Sequence, residues 1–246
     1  MLDYHTLGKR NSVKALKAIT GILFIICIPI LLLTTDLRFA ANDIRLYEYG
    51  FNKYEVSAAT GLDNEELLSV ADQMVTYFNS DEEFLDIDHL FTEREKTHLK
   101  DVKGLIQLDY RLQLASLAYI VVYVLINFVL RRGAFWRDLA RRLIWGGGAT
   151  IALLAVLGLW AVIDFDSLFL FFHLVSFSNE LWQLSPGDTM LLMFPQGFFS
   201  DAALFVAAAA IGEAIIIGGV AWVVLALRGR ADYKKALIHS NVEDDS

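Results

Sequence analysis

A single cysteine, Cys27, is all the thiol this 246-residue chain contains. One thiol closes no internal disulfide and makes no zinc–thiolate pair, and its place inside an apolar run speaks against a nucleophile. There are only three prolines, Pro29, Pro186 and Pro195, and no repeat or low-complexity linker divides the chain. Basic residues are missing from 164–202, which carries five acids, and are outnumbered 17 to eight in 36–111. Nucleic acid requires a basic footprint, so these stretches exclude it as a partner. Also missing are a Gly-x-Ser-x-Gly elbow, a Walker loop, a dinucleotide glycine motif and His-Glu-x-x-His. Their absence removes α/β-hydrolase, nucleotide-dependent and zincin chemistries.

Hydrophobic residues, by contrast, make up 56% of the chain, where roughly 45–50% is usual in soluble proteins. Four apolar runs stand out, at about 18–35, 112–130, 143–163 and 203–227. A helix crosses a bilayer with roughly 20 apolar residues, so each run is read as a span. Thirteen of the 21 Lys and Arg residues flank these runs: Lys9, Arg10, Lys14 and Lys17; Arg131, Arg132, Arg137, Arg141 and Arg142; Arg228, Arg230, Lys234 and Lys235. Cytoplasmic loops retain such charge. The expected fold is therefore an all-α membrane protein with four transmembrane helices and both termini inside. Residues 1–17, 131–142 and 228–246 are then cytoplasmic. Residues 36–111 form an extracytoplasmic, mainly helical cap, and 164–202 an interfacial or re-entrant segment on the same side. The first run is long for a signal peptide and ends at Thr34-Thr35-Asp36 without a small-x-small site. Nor does Phe24-Ile25-Ile26 before Cys27 offer the small residue of a lipoprotein signal, so a retained span is expected, kinked or broken near Pro29.

Within the cap, Asp63 and Glu66 have capping-box spacing and open a helix through Phe78. Its apolar positions Leu67, Val70, Ala71, Met74, Val75 and Phe78 repeat with helical period. The aromatic stretch Arg45–Val56 is expected to be extended. A second box, Thr92 and Glu95, starts a helix at Glu93 that runs toward the second span, with Gly104 as its expected bend. In the other outer segment, Leu168–Phe172 is too short to cross and suits the headgroup layer, with turns at Pro186 and Pro195. Glycines 146–148 and 158 on the third span, and Ala207–Ala210, Gly212, Gly218 and Gly219 on the fourth, allow close helix approach. Glu213, in mid-span, is expected to be protonated or bonded to Thr150, Tyr119 or Asn127.

Of the five histidines, His5 and His239 fall in the tails, and His89 sits beside Asp86 and Asp88 at the surface. His98 and His173 both face outward near the mouths of spans. On a helix, Glu95, His98 and Asp101 share one polar stripe, and a carboxylate bonded to one ring nitrogen raises the basicity of the other. General-base catalysis needs that arrangement, although a solvated helix face has the same spacing. His173 lies within Phe169-Leu170-Phe171-Phe172-His173-Leu174-Val175-Ser176-Phe177, an apolar setting in which an imidazole needs a reason. The two rings are expected to converge on one site. Glu95-x-x-His98 echoes the di-metal bundle element but lacks its second copy, and His98 does not begin the His-x4-Asp box of common glycerolipid acyltransferases. Zinc held by His98, His173 and an acid stays open as an alternative.

The block Phe91-Thr92-Glu93-Arg94-Glu95-Lys96-Thr97-His98-Leu99-Lys100-Asp101-Val102-Lys103 resembles the Arg-Glu-x-x-His-x-x-Asp-Val-Lys signature of the bacterial lipoprotein intramolecular transacylase (Lit) family. Phe172-His173-x3-Phe177-x4-Trp182 and Met193-Phe194-Pro195-x2-Phe198-Phe199 are similar to a second family block, and Thr60-Gly61-Leu62 with Asn64-Glu65-Glu66-Leu67 to its outer helix. The resemblance implies a multi-pass enzyme of the bacterial plasma membrane, with its site on the extracytoplasmic side. Its substrate would be a lipid-anchored protein whose sn-2 acyl chain moves from the glycerol of a diacylglyceryl-cysteine to the N-terminal amine, with membrane lipid as surroundings and no cofactor. It puts the catalytic histidines on His98 and His173, and motif positions on Arg94, Glu95, Asp101 and Lys103.

On that footing His98, oriented by Asp101, is expected to act as base and His173 as acid or oxyanion donor, with the reverse assignment and an acyl-histidine intermediate open. Arg94, Glu95, Lys103, Phe169, Phe172, Phe177 and Trp182 are expected to contact substrate, the aromatics lining the acyl-chain mouth. No resident metal is required. A metal-dependent hydrolase of lipid or peptide and a non-enzymatic membrane partner remain the competing readings.

Overall fold

The computed structural model describes residues 4–85, 87, 90–131 and 135–244, with side chains for 12–85, 87, 90–130 and 135–231. The expectations for Asp86, Asp88 and His89, and for the side chains of His5, Lys9, Arg10, Arg131, Arg132, Lys234, Lys235 and His239, lie outside the described residues. Among the described residues every regular element is a helix: α1 (Tyr4–Asn42), α2 (Ile44–Lys53), α3 (Val56–Thr60), α4 (Asn64–Phe78), α5 (Glu93–Arg131), α6 (Phe135–Ile163), α7 (Phe165–Ser176), α8 (Thr189–Met193) and α9 (Gln196–Asp244). Four of these contain segments long and apolar enough to cross a membrane: Ser12–Asn42, Glu93–Leu130, Phe135–Ile163 and Gln196–Ala231. α5, at 39 residues, extends roughly 58 Å at 1.5 Å per residue, about twice the ~30 Å hydrocarbon core. Its first half carries Glu93, Arg94, Glu95, Lys96, Lys100, Asp101, Lys103, Asp109 and Arg111. The apolar half begins at Leu112, and His98 belongs to the charged half.

The chain divides into two compact units. One comprises Met1–Leu32, Ala115–Leu153 and Ala210–Ser246; the other comprises Leu33–Leu114 and Leu154–Ala209. The first unit thus holds the start of α1, the end of α5, the start of α6 and most of α9, together with every flanking base named above. The second holds the other ends of those helices plus α2, α3, α4, α7 and α8.

In the first unit, Phe24 is fully buried with its ring 4.7 Å from Tyr123, and Tyr119 donates to the Thr20 carbonyl at 2.8 Å. A Cβ on Gly146 would stand 2.7 Å from Ile28, and one on Gly147 would stand 2.9 Å from the Ala214 carbonyl oxygen, so α6 packs on α1 and α9 through these two glycines. Gly148, Gly158, Gly212, Gly218 and Gly219 make no comparable approach among the described residues. Glu213 is not bonded to the partners expected for it. Thr150 donates to the Gly146 carbonyl, Tyr119 to Thr20 and Asn127 to Tyr123, because a helix backbone offers each an acceptor nearer than another helix's carboxyl. Val129, Leu130, Trp145 and Trp222 are exposed, as lipid-facing side chains are.

The second unit has a conventional apolar core. α4 begins with the reciprocal Asp63–Glu66 capping box and buries Leu67, Val70, Ala71, Met74, Tyr77 and Phe78. Leu67, Val70, Met74 and Phe78 each contribute about 1.5–3 kcal/mol. The stretch Arg45–Val56 is not extended. Asp43 caps α2 by accepting from the Arg45 N–H, and Tyr47, Gly50 and Phe51 then fall on one buried face. That face meets Phe194 and Phe198 at ring separations between 5.8 and 6.1 Å. A Cβ on Gly50 would stand 2.2 Å from the Phe198 ring, so only glycine lets α2 come this close. α1 continues unbroken through Pro29, and α5 unbroken through Gly104. In α1, the N–H that proline removes is a local loss that an otherwise intact apolar helix tolerates.

Candidate active site

Everything described here lies within the second unit. α5 starts at a capping box: Glu95 Oε2 accepts from the Thr92 N–H (2.7 Å) and hydroxyl (2.8 Å), and the Glu95 N–H donates back to Thr92 Oγ1 (3.3 Å). The second oxygen, Oε1, accepts the Met190 N–H of α8 at 2.7 Å. Glu95 is fully buried, with both oxygens used to fasten the start of α5 to α8. One turn later His98 comes up from α5, and α7 supplies His173. The two rings lie 6.4 Å apart, 28° from parallel, and both are buried.

α7 opens at Asp164, which accepts the Ser167 N–H at 3.0 Å, and its 12 residues are too few to span a bilayer. Leu170, Phe171, Phe172, Leu174 and Val175 are exposed, whereas His173 is turned inward. A buried polar residue on an otherwise apolar, exposed helix is the reverse of a soluble helix and suits an interfacial one. His173 Nδ1 lies 2.8 Å from the Phe169 carbonyl oxygen. A carbonyl can only accept, so Nδ1 carries the proton and Nε2 keeps its lone pair.

Four aromatic side chains pack on the pair, three of them on His173 alone. Phe169 stands edge-on to His173 at 4.4 Å, Phe172 at 5.3 Å, and Trp182 tilts over it at 4.9 Å. Phe177 contacts both imidazoles, at 5.1 Å from His98 and 5.6 Å from His173. In this setting burial lowers both histidines; for His98, burial first and the neighbouring His173 second, partly opposed by Asp101, bring it from 6.5 to about 4. Both are therefore neutral at pH 7.

The expected bond from Asp101 to His98 is not formed. Asp101 Oδ2 accepts from Asn179 Nδ2 at 2.8 Å, and His98 Nδ1 is buried without a hydrogen-bond partner among the described residues. Three residues along a helix bring the side chains to one face, but the Asn179 amide reaches the carboxylate first. Arg94 donates to the Glu180 carbonyl at 2.7 Å, and Lys103 to Ser80 and the Glu82 carbonyl. Arg94 thus holds the 177–184 turn, while Lys103 and Glu95 brace neighbouring backbone rather than the space between the imidazoles. Asn179 was not singled out from the sequence. Its only local sign is an Asx-turn, with Oδ1 accepting the Leu181 N–H two residues on at 2.9 Å. No group of three or more His, Cys, Asp or Glu is placed to hold a metal ion among the described residues.

Compared with known proteins, residues 22–199 match the model of a family described as Lipoprotein intramolecular transacylase Lit. An uncharacterized protein of Aquifex aeolicus (strain VF5) is 27% identical over 201 residues, covering 78% of this chain and 88% of that protein. The in meso structure of the membrane integral lipoprotein intramolecular transacylase Lit from Bacillus cereus superposes with a TM-score of 0.76 at 20% identity, over 89% of this chain and 99% of the other. Structures of that enzyme with one histidine changed to arginine or to alanine give TM-scores of 0.73 and 0.74, at 19% and 18% identity and over 92% and 91% of this chain. At these identities the likeness is one of fold. The matched stretch includes both histidines and every ring around them.

Proposed function

Because the chain belongs to the lipoprotein intramolecular transacylase (Lit) family, we propose that it moves the sn-2 acyl chain of a diacylglyceryl-cysteine lipoprotein to that lipoprotein's own N-terminal amine. The observation that carries this reading is the pair of neutral imidazoles 6.4 Å apart in an aromatic enclosure. The amine nitrogen attacks the ester carbonyl, an N–C bond forms, and the C–O bond to glycerol breaks. Once the ammonium has released one proton to solvent through the base, the remaining amine proton ends on the glycerol oxygen, so the transfer balances without cofactor or nucleotide. Nucleophile and ester belong to one molecule, and holding them in attack geometry supplies much of the rate enhancement.

His173 is the better base. Its Nδ1–H is tied to the Phe169 carbonyl, which aims the Nε2 lone pair into the enclosure. His98, with an unpartnered Nδ1, is free to bond the carbonyl oxygen as negative charge develops or to hand the proton to the departing glycerol oxygen. Asp101 acts on His98 through charge rather than by orienting its ring. Phe169, Phe172, Phe177 and Trp182 exclude water and receive acyl chain, and the exposed apolar face of α7 meets lipid. The clustering of flanking bases in the first unit supports placing the second unit, and with it the site, on the extracytoplasmic side of a bacterial plasma membrane.

The test expresses the full chain in a host lacking lipoprotein N-acylation and examines N-terminal lipopeptides by mass spectrometry. An N-acyl, monoacylglyceryl product that is lost in His98→Ala and His173→Ala is the expected result. A free-amine diacylglyceryl product unchanged by expression defeats the reading.

A further inference from the structure

Resting on the transacylase reading above, we propose that the Asp101 carboxylate docks the substrate's N-terminal ammonium and that Asn179 aims it. An α-amino group ordinarily titrates near 7.7–8.0, so the substrate amine arrives charged. The enclosure it must enter is built from neutral imidazoles and aromatic rings, where a cation loses hydration and needs a counter-charge. Glu95 cannot provide one, because both its oxygens are already bonded to Thr92 and Met190.

Asp101 is differently placed. It lies three residues beyond His98 on the same helix, its charge is felt at His98, and its Oδ2 is held by a neutral donor, Asn179 Nδ2, at 2.8 Å. The Asn179 amide cannot flip, since its Oδ1 is engaged by the Leu181 N–H at 2.9 Å. A neutral donor orients a carboxylate without cancelling its charge, as an arginine or lysine would. The four bases of the first three turns of the same helix are directed elsewhere: Arg94 to the Glu180 carbonyl, Lys96 to Glu93, Lys100 to Glu83 and Lys103 to the Glu82 carbonyl. The carboxylate is thus fixed near His98 with no ion pair among the described residues.

The experiment measures binding of a non-transferable probe, a diacylglyceryl-cysteine lipopeptide whose sn-2 ester is replaced by an ether. Its free-ammonium form and its N-acetyl form are compared on full-length protein in detergent at pH 7. Wild type is expected to favour the ammonium form by about tenfold or more, as a charge-assisted hydrogen bond implies. Asp101→Asn should lose that preference while still binding the N-acetyl probe, which shows that it folds, and Asp101→Glu should keep part of it. Asn179→Leu should weaken the preference without abolishing it. Wild type binding both forms equally, Asp101→Asn retaining the preference, or Asp101→Glu losing it as fully as Asn, each overturns the proposal. Wild type binding neither probe instead overturns the transacylase reading on which it rests.

Discussion

His98 and His173 show how one environment sets both chemistry and stability. Burial holds the folded imidazoles below 6.5, with His98 near 4. Well above pH 6.5 neither the folded nor the unfolded chain binds a proton at these positions. As pH falls from 6.5 toward 4, the unfolded chain gains protons that the folded one refuses, so stability is lost in that window, by about 3 kcal/mol for His98 alone. Thermal midpoints in detergent should fall across this range, and His98→Gln should flatten the decline. Glu95 makes the complementary case. Glu95→Gln keeps the shape but turns an amide N–H₂ toward the Thr92 or Met190 N–H, leaving a buried donor unpaired. A loss of about 2–3 kcal/mol in unfolding free energy is expected. A melt unchanged by this substitution would show that the fastening of α5 to α8 contributes little.

Among the elements, α4 and α2 differ in how far local sequence decides them. α4 carries its own start signal at Asp63 and Glu66 and a long apolar period, so its limits could be read directly. In α2 the aromatic residues favour a strand by propensity, and the outcome turned on Phe194 and Phe198, about 150 residues away, packing against Tyr47, Gly50 and Phe51. Glycines in the spans divide the same way. Gly147→Ala should separate α6 from α9, because its Cβ would press on the Ala214 backbone oxygen at 2.9 Å. A cost of about 1–3 kcal/mol is expected. Gly158→Ala, with open space around it, should melt like wild type. Equal effects at the two positions would mean that helix propensity, not packing, controls these glycines.

At the scale of the molecule, the alternation of helix ends between two units follows from four membrane-length helices joined in series. The proposed orientation has a direct check. Cysteines placed at Gln73 and Ser185, both exposed and both in the second unit, should react with a membrane-impermeant maleimide on intact cells. One at Arg230, exposed in the first unit, should react only after lysis. The native Cys27 is buried and should stay silent in both conditions. Labelling of position 230 from outside would reverse the assignment of sides.

What the sequence determined by itself was whatever depends on near neighbours: which runs are apolar enough to embed, where flanking bases lie, and which helices carry their own caps. It also presented the histidine blocks whose resemblance named the family. What only the tertiary structure decided was every relation between distant residues. His98 and His173 are 75 positions apart, and their stacking, the Asn179 amide on Asp101 and the Met190 N–H on Glu95 all join separate segments. Spacing along α5 could bring Asp101 to the face of His98 but could not reveal that a loop amide from beyond α7 would occupy the carboxylate. A helix fixes directions for its own side chains, and the partner that meets them is set by packing.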